Sequence, residues 1–477
     1  MSAMTHNHSF YQARLEFVHD ILTEKFDLAV CIRRNWLWKS TDEACEKNAR
    51  VDPVAYDHEC PFKYNNFVYY VSLPSPLIKD NFTCQSQTSC VAIPSGCSEL
   101  ILRLANPDAE GLQQASNRIE NEVAIMTLAA RALDPSFNPH VVPRIYGWRG
   151  SMSKEGKRQQ GWILQEYMPG TPLDENLDNM SLKGKRNILG QIAKLLKGLQ
   201  DFALPDSITD FGGLTFDNEG DLISAPMTNC NIGPWPTYEA SFKAQLEHAL
   251  KKSDENPYIQ GWRPNGVRAR LEAFIEREVS TAFEQLEARD QKVITHADFS
   301  KYMASLVSKS RKHTYTLFLT APSNLLFDAS SGRITALIDY ELSCITHPSY
   351  EFFRSFDGFG GRIRGCSVIE GRKEMSLDEA MLHGFPDPLP DCKDGDEFEE
   401  WELAKAWEDE LERTGCKRPI MMPGIDKVAN VYALLRSILP WRVTNADIVA
   451  RQSDEVIREC QSENEVVVIQ ILEHSGF

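Results

Sequence analysis

Apolar and polar positions along this chain follow two different periodicities, and the change comes near residue 168. Leu15, Val18, Ile21 and Leu22 recur at helical spacing, so an amphipathic helix is expected within residues 8–26. Phe67, Tyr69, Val71 and Leu73 alternate with Asn66, Val68, Tyr70 and Ser72 and stop at Pro74 and Pro76, the period of a strand. A second strand is expected at 99–105, with Leu100, Leu102 and Leu104 on one face and Arg103 on the other. A helix should follow over 117–133, and residues 141–148 and 162–166 read as two more strands. Pro169-Gly170 then breaks the last strand and lets the chain cross into a different region.

Beyond that break the pattern is mainly helical. Ile188, Ile192, Leu195, Leu196 and Leu199 form one apolar stripe, and Leu271, Phe274, Ile275, Val279 and Phe283 form another. Between them, residues 211–223 and 232–236 read as a hairpin and a loop. Residues 391–412 are strongly acidic around Trp401 and Trp407, and residues 428–439 are helical again. Residues 74–98, with three cysteines, form an irregular excursion between strands.

Charge narrows the partners. The formal net charge of −17 repels nucleic acid and anionic membrane, so a neutral or cationic small molecule fits better. No apolar run is long enough to span a bilayer. The first residues lack a basic segment followed by an apolar one, so no secretory signal is expected and the expected address is cytoplasmic. Twelve cysteines are scattered without a C-x-x-C pair or zinc-finger spacing, which points to reduced thiols. Asn81-Phe-Thr83 matches a glycosylation acceptor but carries no weight without a signal.

The chemistry lies in residues 294–341: Ile-Thr-His296-Ala-Asp298-Phe-Ser300, a basic stretch, Pro322-Ser-Asn324-Leu-Leu-Phe, then Ile334-Thr-Ala-Leu-Ile338-Asp339-Tyr-Glu341. Setting aside the 21 residues from Lys301 to Ala321 leaves H-x-D-x-x-x-x-N, a strand and a second Asp. Phosphoryl transfer from a nucleotide needs a carboxylate to orient the attacking hydroxyl and oxygen ligands to hold magnesium on the phosphates. Asp298, Asn324 and Asp339 supply these three.

With that excision the chain resembles the aminoglycoside phosphotransferase and choline kinase branch of the protein-kinase-like superfamily, where H-x-D-[LF]-x-x-x-N and I-D-[WY]-E form a hallmark pair. The resemblance covers about residues 60–360 and is most specific at these two motifs. It implies a bilobal α+β fold: an N-terminal helical extension over 1–60, a small antiparallel-sheet lobe over 61–168 and a large, mainly helical lobe over 169–477. It implies ATP or GTP and magnesium as cofactors and a small-molecule hydroxyl as acceptor. Asp298 would be the base, His296 would brace its loop, and Asn324 and Asp339 would hold the metal. Arg103 would grip phosphates and pair with Glu122, with Glu120 as the alternative partner. Arg here departs from the protein-kinase Lys but resembles choline kinase, and its planar fork suits phosphate oxygens. The backbone of Gln165, Glu166 and Met168 would meet the adenine, and residues 61–66 would cover the phosphates although they contain no glycine.

Competing motifs fail on their residues. Gly156-Lys157 lacks the P-loop Gly, where Ser151 stands, and the following Ser or Thr, where Arg158 stands. No G-x-S-x-G elbow is present, and His296-Ala-Asp298 has no second His pair to complete a zinc site. Two alternatives share the fold: a pseudokinase that binds nucleotide or a partner without turnover, and a protein-hydroxyl kinase, which the absence of A-P-E after Asp339 disfavours.

Residues 301–321 carry four Lys or Arg and no acid inside an acidic chain. Ser300-Lys301-Tyr302 can be encoded AGT-AAG-TAT, a strong splice donor, and Thr320-Ala321 as ACA-GCN, a splice acceptor. Removal keeps the frame and yields His-Ala-Asp-Phe-Thr-Pro-Ser-Asn, so the segment is expected to be a retained or mispredicted short intron and not an evolved loop. Lengthening the link between Asp298 and Asn324 in this way costs only ~1.6 kcal/mol of loop entropy. The larger expected risk is geometric, because catalysis needs the two side chains placed to well within about 1 Å.

Overall fold

A computed structural model describes residues 7, 10–26, 28, 30–31, 48–54, 63–77, 87–109, 116–152, 156–177, 179–299, 324–365, 376–390 and 395–477. The basic segment 301–321, and with it the insertion, lies outside the described residues, as do Pro61 and Phe62 of the expected lid.

The small lobe begins with helix α1 (Tyr11–Phe26) and strands β1 (Val30–Cys31), β2 (Ala49–Pro53), β3 (Asn66–Ser72) and β4 (Glu99–Ala105). Helix α2 (Arg118–Leu133) and strands β5 (Ile145–Arg149) and β6 (Trp162–Glu166) complete it. The strands form one sheet in the order β1-β2-β3-β4-β6-β5, antiparallel except at β1–β2. Alternation along β3 and β4 sorts the side chains by face. Phe67, Tyr69, Val71, Leu100, Leu102 and Leu104 bury in one cluster with Leu15, Val18, Leu22 and Phe26 of α1. Arg103 is thereby turned to the other face, where it meets α2.

The sheet starts before residue 61, inside the segment expected to be a helical extension. β2 pairs with β3 from Arg50↔Ser72 to Pro53↔Tyr69. Ala49-Arg-Val-Asp-Pro53 holds a single strong strand former, so its pairing with β3, not its own propensity, makes it a strand.

The large lobe opens with β7 (Thr171–Pro172), α3 (Asp174–Leu177) and α4 (Leu182–Asp201). The hairpin β8 (Gly213–Phe216) and β9 (Leu222–Ala225) leads to α5 (Tyr238–Glu255) and α6 (Val267–Glu284). Short strands β10 (Val293–Thr295), β11 (Leu325–Asp328), β12 (Arg333–Leu337) and β13 (Cys344–Thr346) come next. Helices α7 (Ser349–Arg354), α8 (Leu377–His383), α9 (Gly395–Thr414), α10 (Ile425–Ile438), α11 (Trp441–Thr444), α12 (Ala446–Val449) and α13 (Asp454–His474) finish the chain. Both apolar stripes are buried, on α4 and α6. From Gly395 on, the acidic segment is helical because Trp401 and Trp407 anchor α9; the Trp407 ring lies 4.8 Å from that of Phe356.

Two features position the site. β11 and β12 form an antiparallel hairpin with Leu325 opposite Leu337, and β10 pairs with β13 with Thr295 opposite Cys344. Helix α2 is seated on the large lobe through Asn121, which accepts the Leu214 N–H at 2.7 Å and donates to Ser343 O at 3.0 Å. Among the described residues no helix is long and apolar enough to cross a membrane.

Candidate active site

β10 ends at Thr295, and the chain turns through Ala297 at φ +64° to reach Asp298. Hairpin register brings Asn324 and Asp339 out of the same end of β11–β12, where Ile338 N–H donates to Asn324 O at 2.9 Å. Asn324 Nδ2 donates both to Asp298 O at 2.8 Å and to Asp298 Oδ2 at 2.9 Å. That leaves the amide oxygen as the Asn324 atom suited to a cation. Asp339 stands at φ +64°, a left-handed position that Asp tolerates better than most residues, with its side chain one-third exposed. Burial pushes the Asp298 carboxyl up to about 7, with Arg354 pulling it down and Asp339 pushing it further up. In its ionised form, a carboxyl poised there can accept the proton of a hydroxyl near neutral pH.

The loop carrying Asp298 is held by α7. Glu351 Oε2 accepts the His296 N–H at 2.8 Å and Oε1 the Ala297 N–H at 2.9 Å. Ser355 Oγ accepts the Phe299 N–H at 3.1 Å and donates to Glu351, while Arg354 Nε donates to Ala297 O at 3.3 Å. A buried turn with positive φ has no ladder to satisfy its amides, and one carboxylate does that for two of them. Burial raises the Glu351 carboxyl to about 7, opposed by Ser355 and those two N–H donors. His296 is fully buried, and its Nε2–H donates to Ile338 O at 3.0 Å, tying the Asp298 loop to the segment before Asp339. Burial lowers the imidazole to about 4, so the ring is neutral.

Arg103 is 7% exposed and bridges two acids. Its Nη1 pairs with Glu122 and its Nη2 lies 2.6 Å from Asp339 Oδ1. Burial works against the guanidinium charge, but Glu122 and Asp339 outweigh it and raise the pKa. Burial likewise pushes Glu122 up while Arg103 pulls it down. Removing one partner of such a pair would cost ~3–5 kcal/mol. Helical phase decides against Glu120, whose carboxylate lies against Gly150 and is raised to about 6 by burial.

Glu341, two residues after Asp339, gathers the start of β3 and of α2. Its Oε1 accepts Asn65 Nδ2 at 2.6 Å, and its Oε2 accepts Asn66 Nδ2 at 2.8 Å and Arg118 Nη2 at 3.1 Å. Glu341 closes the Ile338-Asp339-Tyr-Glu341 motif, whereas Glu351 is not singled out by spacing. The available signal for Glu351 is chemical: one carboxylate among aromatics in Ser349-Tyr-Glu-Phe-Phe, a residue type rarely buried without a partner.

At the expected hinge, Gln165 lies inside β6 between Ile101 and Ile145, and Glu166 N–H is donated to Arg144 O at 2.8 Å. The Glu166 carboxylate accepts from His140 Nε2 at 2.7 Å and Arg144 N–H at 3.1 Å. Met168 is buried just beyond the strand. Among the described residues no cluster of three His, Cys, Asp or Glu side chains could hold a metal ion. Asn324 and Asp339 instead offer two oxygen donors, a set suited to magnesium that keeps water and phosphate as its other ligands.

The two-lobed α+β fold thus brings together an Arg–Glu pair between sheet and helix, an Asp–Asn contact at the Asp298 loop and a further Asp at a hairpin end. Residues 86–301 match the model described as the phosphotransferase enzyme family. Asn324 and Asp339 lie beyond the matched span. A comparison with curated proteins found no match. Among solved structures, a streptomycin–ATP ternary complex of APH(2")-IIa is similar at 11% identity and TM-score 0.46, over 95% of each chain. A GDP complex of aminoglycoside 2'-phosphotransferase-IIIa is similar at 11% identity and TM-score 0.42, over 97% of this chain and 99% of that one. ADP-bound APH(2'')-Ib is similar at 12% identity and TM-score 0.40, over 87% and 91%.

Proposed function

We propose that the chain transfers the γ-phosphoryl group of ATP or GTP to a hydroxyl of a small molecule. The observation that carries this is the convergence of Asp298, Asn324 and Asp339, with Asn324 bonded to Asp298 and rooted in the hairpin that ends at Asp339. Asp298 orients the acceptor hydroxyl and takes its proton as the oxygen attacks the γ-phosphorus; the bond to the bridging oxygen breaks and the nucleoside diphosphate leaves. His296 and Glu351 hold the Asp298 loop. Arg103, braced by Glu122, meets the phosphates, and the backbone around Tyr167 and Met168 faces the adenine. Asp339 and the Asn324 amide oxygen would hold magnesium. When bound, the metal neutralises phosphate charge.

Label from γ-labelled ATP should appear on an acceptor in a panel of aminoglycosides, choline, homoserine and simple sugars. Nucleotide binding without release of ADP on any acceptor would select a pseudokinase instead. That second reading is favoured by one observation: Arg103 sits on the Asp339 carboxylate, the group assigned to the metal.

A further inference from the structure

Residues 63–66 lead into β3, where the expected lid becomes sheet, and they contain no glycine. We propose that Glu341 is a positioning residue that latches this edge onto the catalytic segment, an inference that rests on the phosphotransferase reading. Glu341 is buried, and both its oxygens are used: Asn65 on one, Asn66 and Arg118 on the other. Arg118 Nη2 also donates to Asn65 O at 2.8 Å and Asn66 Oδ1 at 2.9 Å, closing a ring of one carboxylate, one guanidinium and two amides. The ring joins the start of β3, the first residue of α2 and the turn after Asp339. A second tie lies alongside, since Lys63 N–H and Nζ reach the Asp447 carboxylate of α12 at 3.1 and 3.3 Å.

A glycine-rich lid approaches phosphates because its backbone is unencumbered and mobile. This edge is instead fixed by hydrogen bonds to a charged group, which are stronger than neutral ones. Glu341 thus sets two distances at once: the height of the lid over the phosphates and the place of the turn that carries Asp339. It acts through Asn65, Asn66 and Arg118, not on reacting atoms.

Glu341→Gln turns one acceptor into a donor facing the Asn donors. Amide exchange of residues 63–72 in the nucleotide-free protein should become about tenfold faster, and the Kd for magnesium–ATP about tenfold weaker, the size expected for losing a charge-assisted hydrogen bond. Adding Asn66→Asp reverses the polarity of the pair and supplies Arg118 with a new carboxylate. It should restore both readouts, which a general folding defect would not allow. Asn65→Ala with Asn66→Ala, at half-buried positions, should reproduce the loss if Glu341→Gln does not fold. Unchanged exchange, unchanged affinity or failure of the reversed pair to recover would overturn the latch. A parent protein that binds no ATP would instead overturn the phosphotransferase reading and the latch with it.

Discussion

Asn324 Nδ2 lies 2.9 Å from the Asp298 carboxylate although the two residues stand 26 positions apart. The distance is set from both sides, by α7 gripping the Asp298 loop and by the β11–β12 register that fixes Asn324.

Deleting residues 301–321 should leave the fold intact and raise magnesium-dependent activity or nucleotide affinity, by restoring a short loop between Asp298 and Asn324. The transcript should show a major species joining Phe299 to Thr-Pro-Ser-Asn. Retention of the segment throughout, with unchanged or lower activity on deletion, would make it a native element.

Asp339→Ala should weaken binding of magnesium–nucleotide more than binding of metal-free nucleotide, because its carboxylate is assigned to the cation. Calorimetric titration with and without magnesium separates the two, and equal losses would contradict the assignment.

Glu351→Gln keeps shape but can accept from only one of the two backbone amides that Glu351 holds. The Asp298 loop should loosen, and kcat should fall by about tenfold to a hundredfold with little change in nucleotide affinity. Steady-state kinetics at saturating nucleotide would show it. A loss confined to nucleotide binding would place Glu351 elsewhere in the mechanism.

His347 is fully buried, its Nδ1 accepts the Ser349 N–H at 3.2 Å, and burial lowers it to about 3, with Lys417 adding to the effect. A folded pKa below the unfolded one means that the unfolded chain binds the extra proton, so this contribution to stability falls as pH drops from about 6.5 towards 3. Carboxyls raised to about 7, such as Glu351, act in the opposite sense, so the difference between the protein and His347→Gln is the quantity to follow. Between pH 7 and 5, urea unfolding should show that difference shrink by about 2 kcal/mol. A pH-independent difference would mean that His347 is solvated or charged.

What is legible in the sequence is what is local. Alternation marks β3 and β4, and the same alternation puts Arg103 on the face of α2, where helical phase brings Glu122 to it. The order of Asp298, Asn324 and Asp339 is legible only once the basic segment is set aside. The Glu341 ring is not legible, because its partners lie 223 to 276 positions away and their side chains carry no periodic signal. Asn65 and Asn66 read as turn formers, yet their amides are donors to a distant carboxylate. β2 is hidden for a similar reason, since its pairing with β3 supplies what its composition lacks.

The most direct test of the central claim is Asp298→Asn in the form lacking residues 301–321, assayed for nucleoside diphosphate release with an accepted hydroxyl substrate. The substitution removes charge at nearly constant shape and keeps an oxygen for Asn324. The account predicts an intact fold, retained nucleotide binding and a fall in turnover of about 10²- to 10⁴-fold, the loss typical of a positioned base. Turnover close to that of the parent would contradict it.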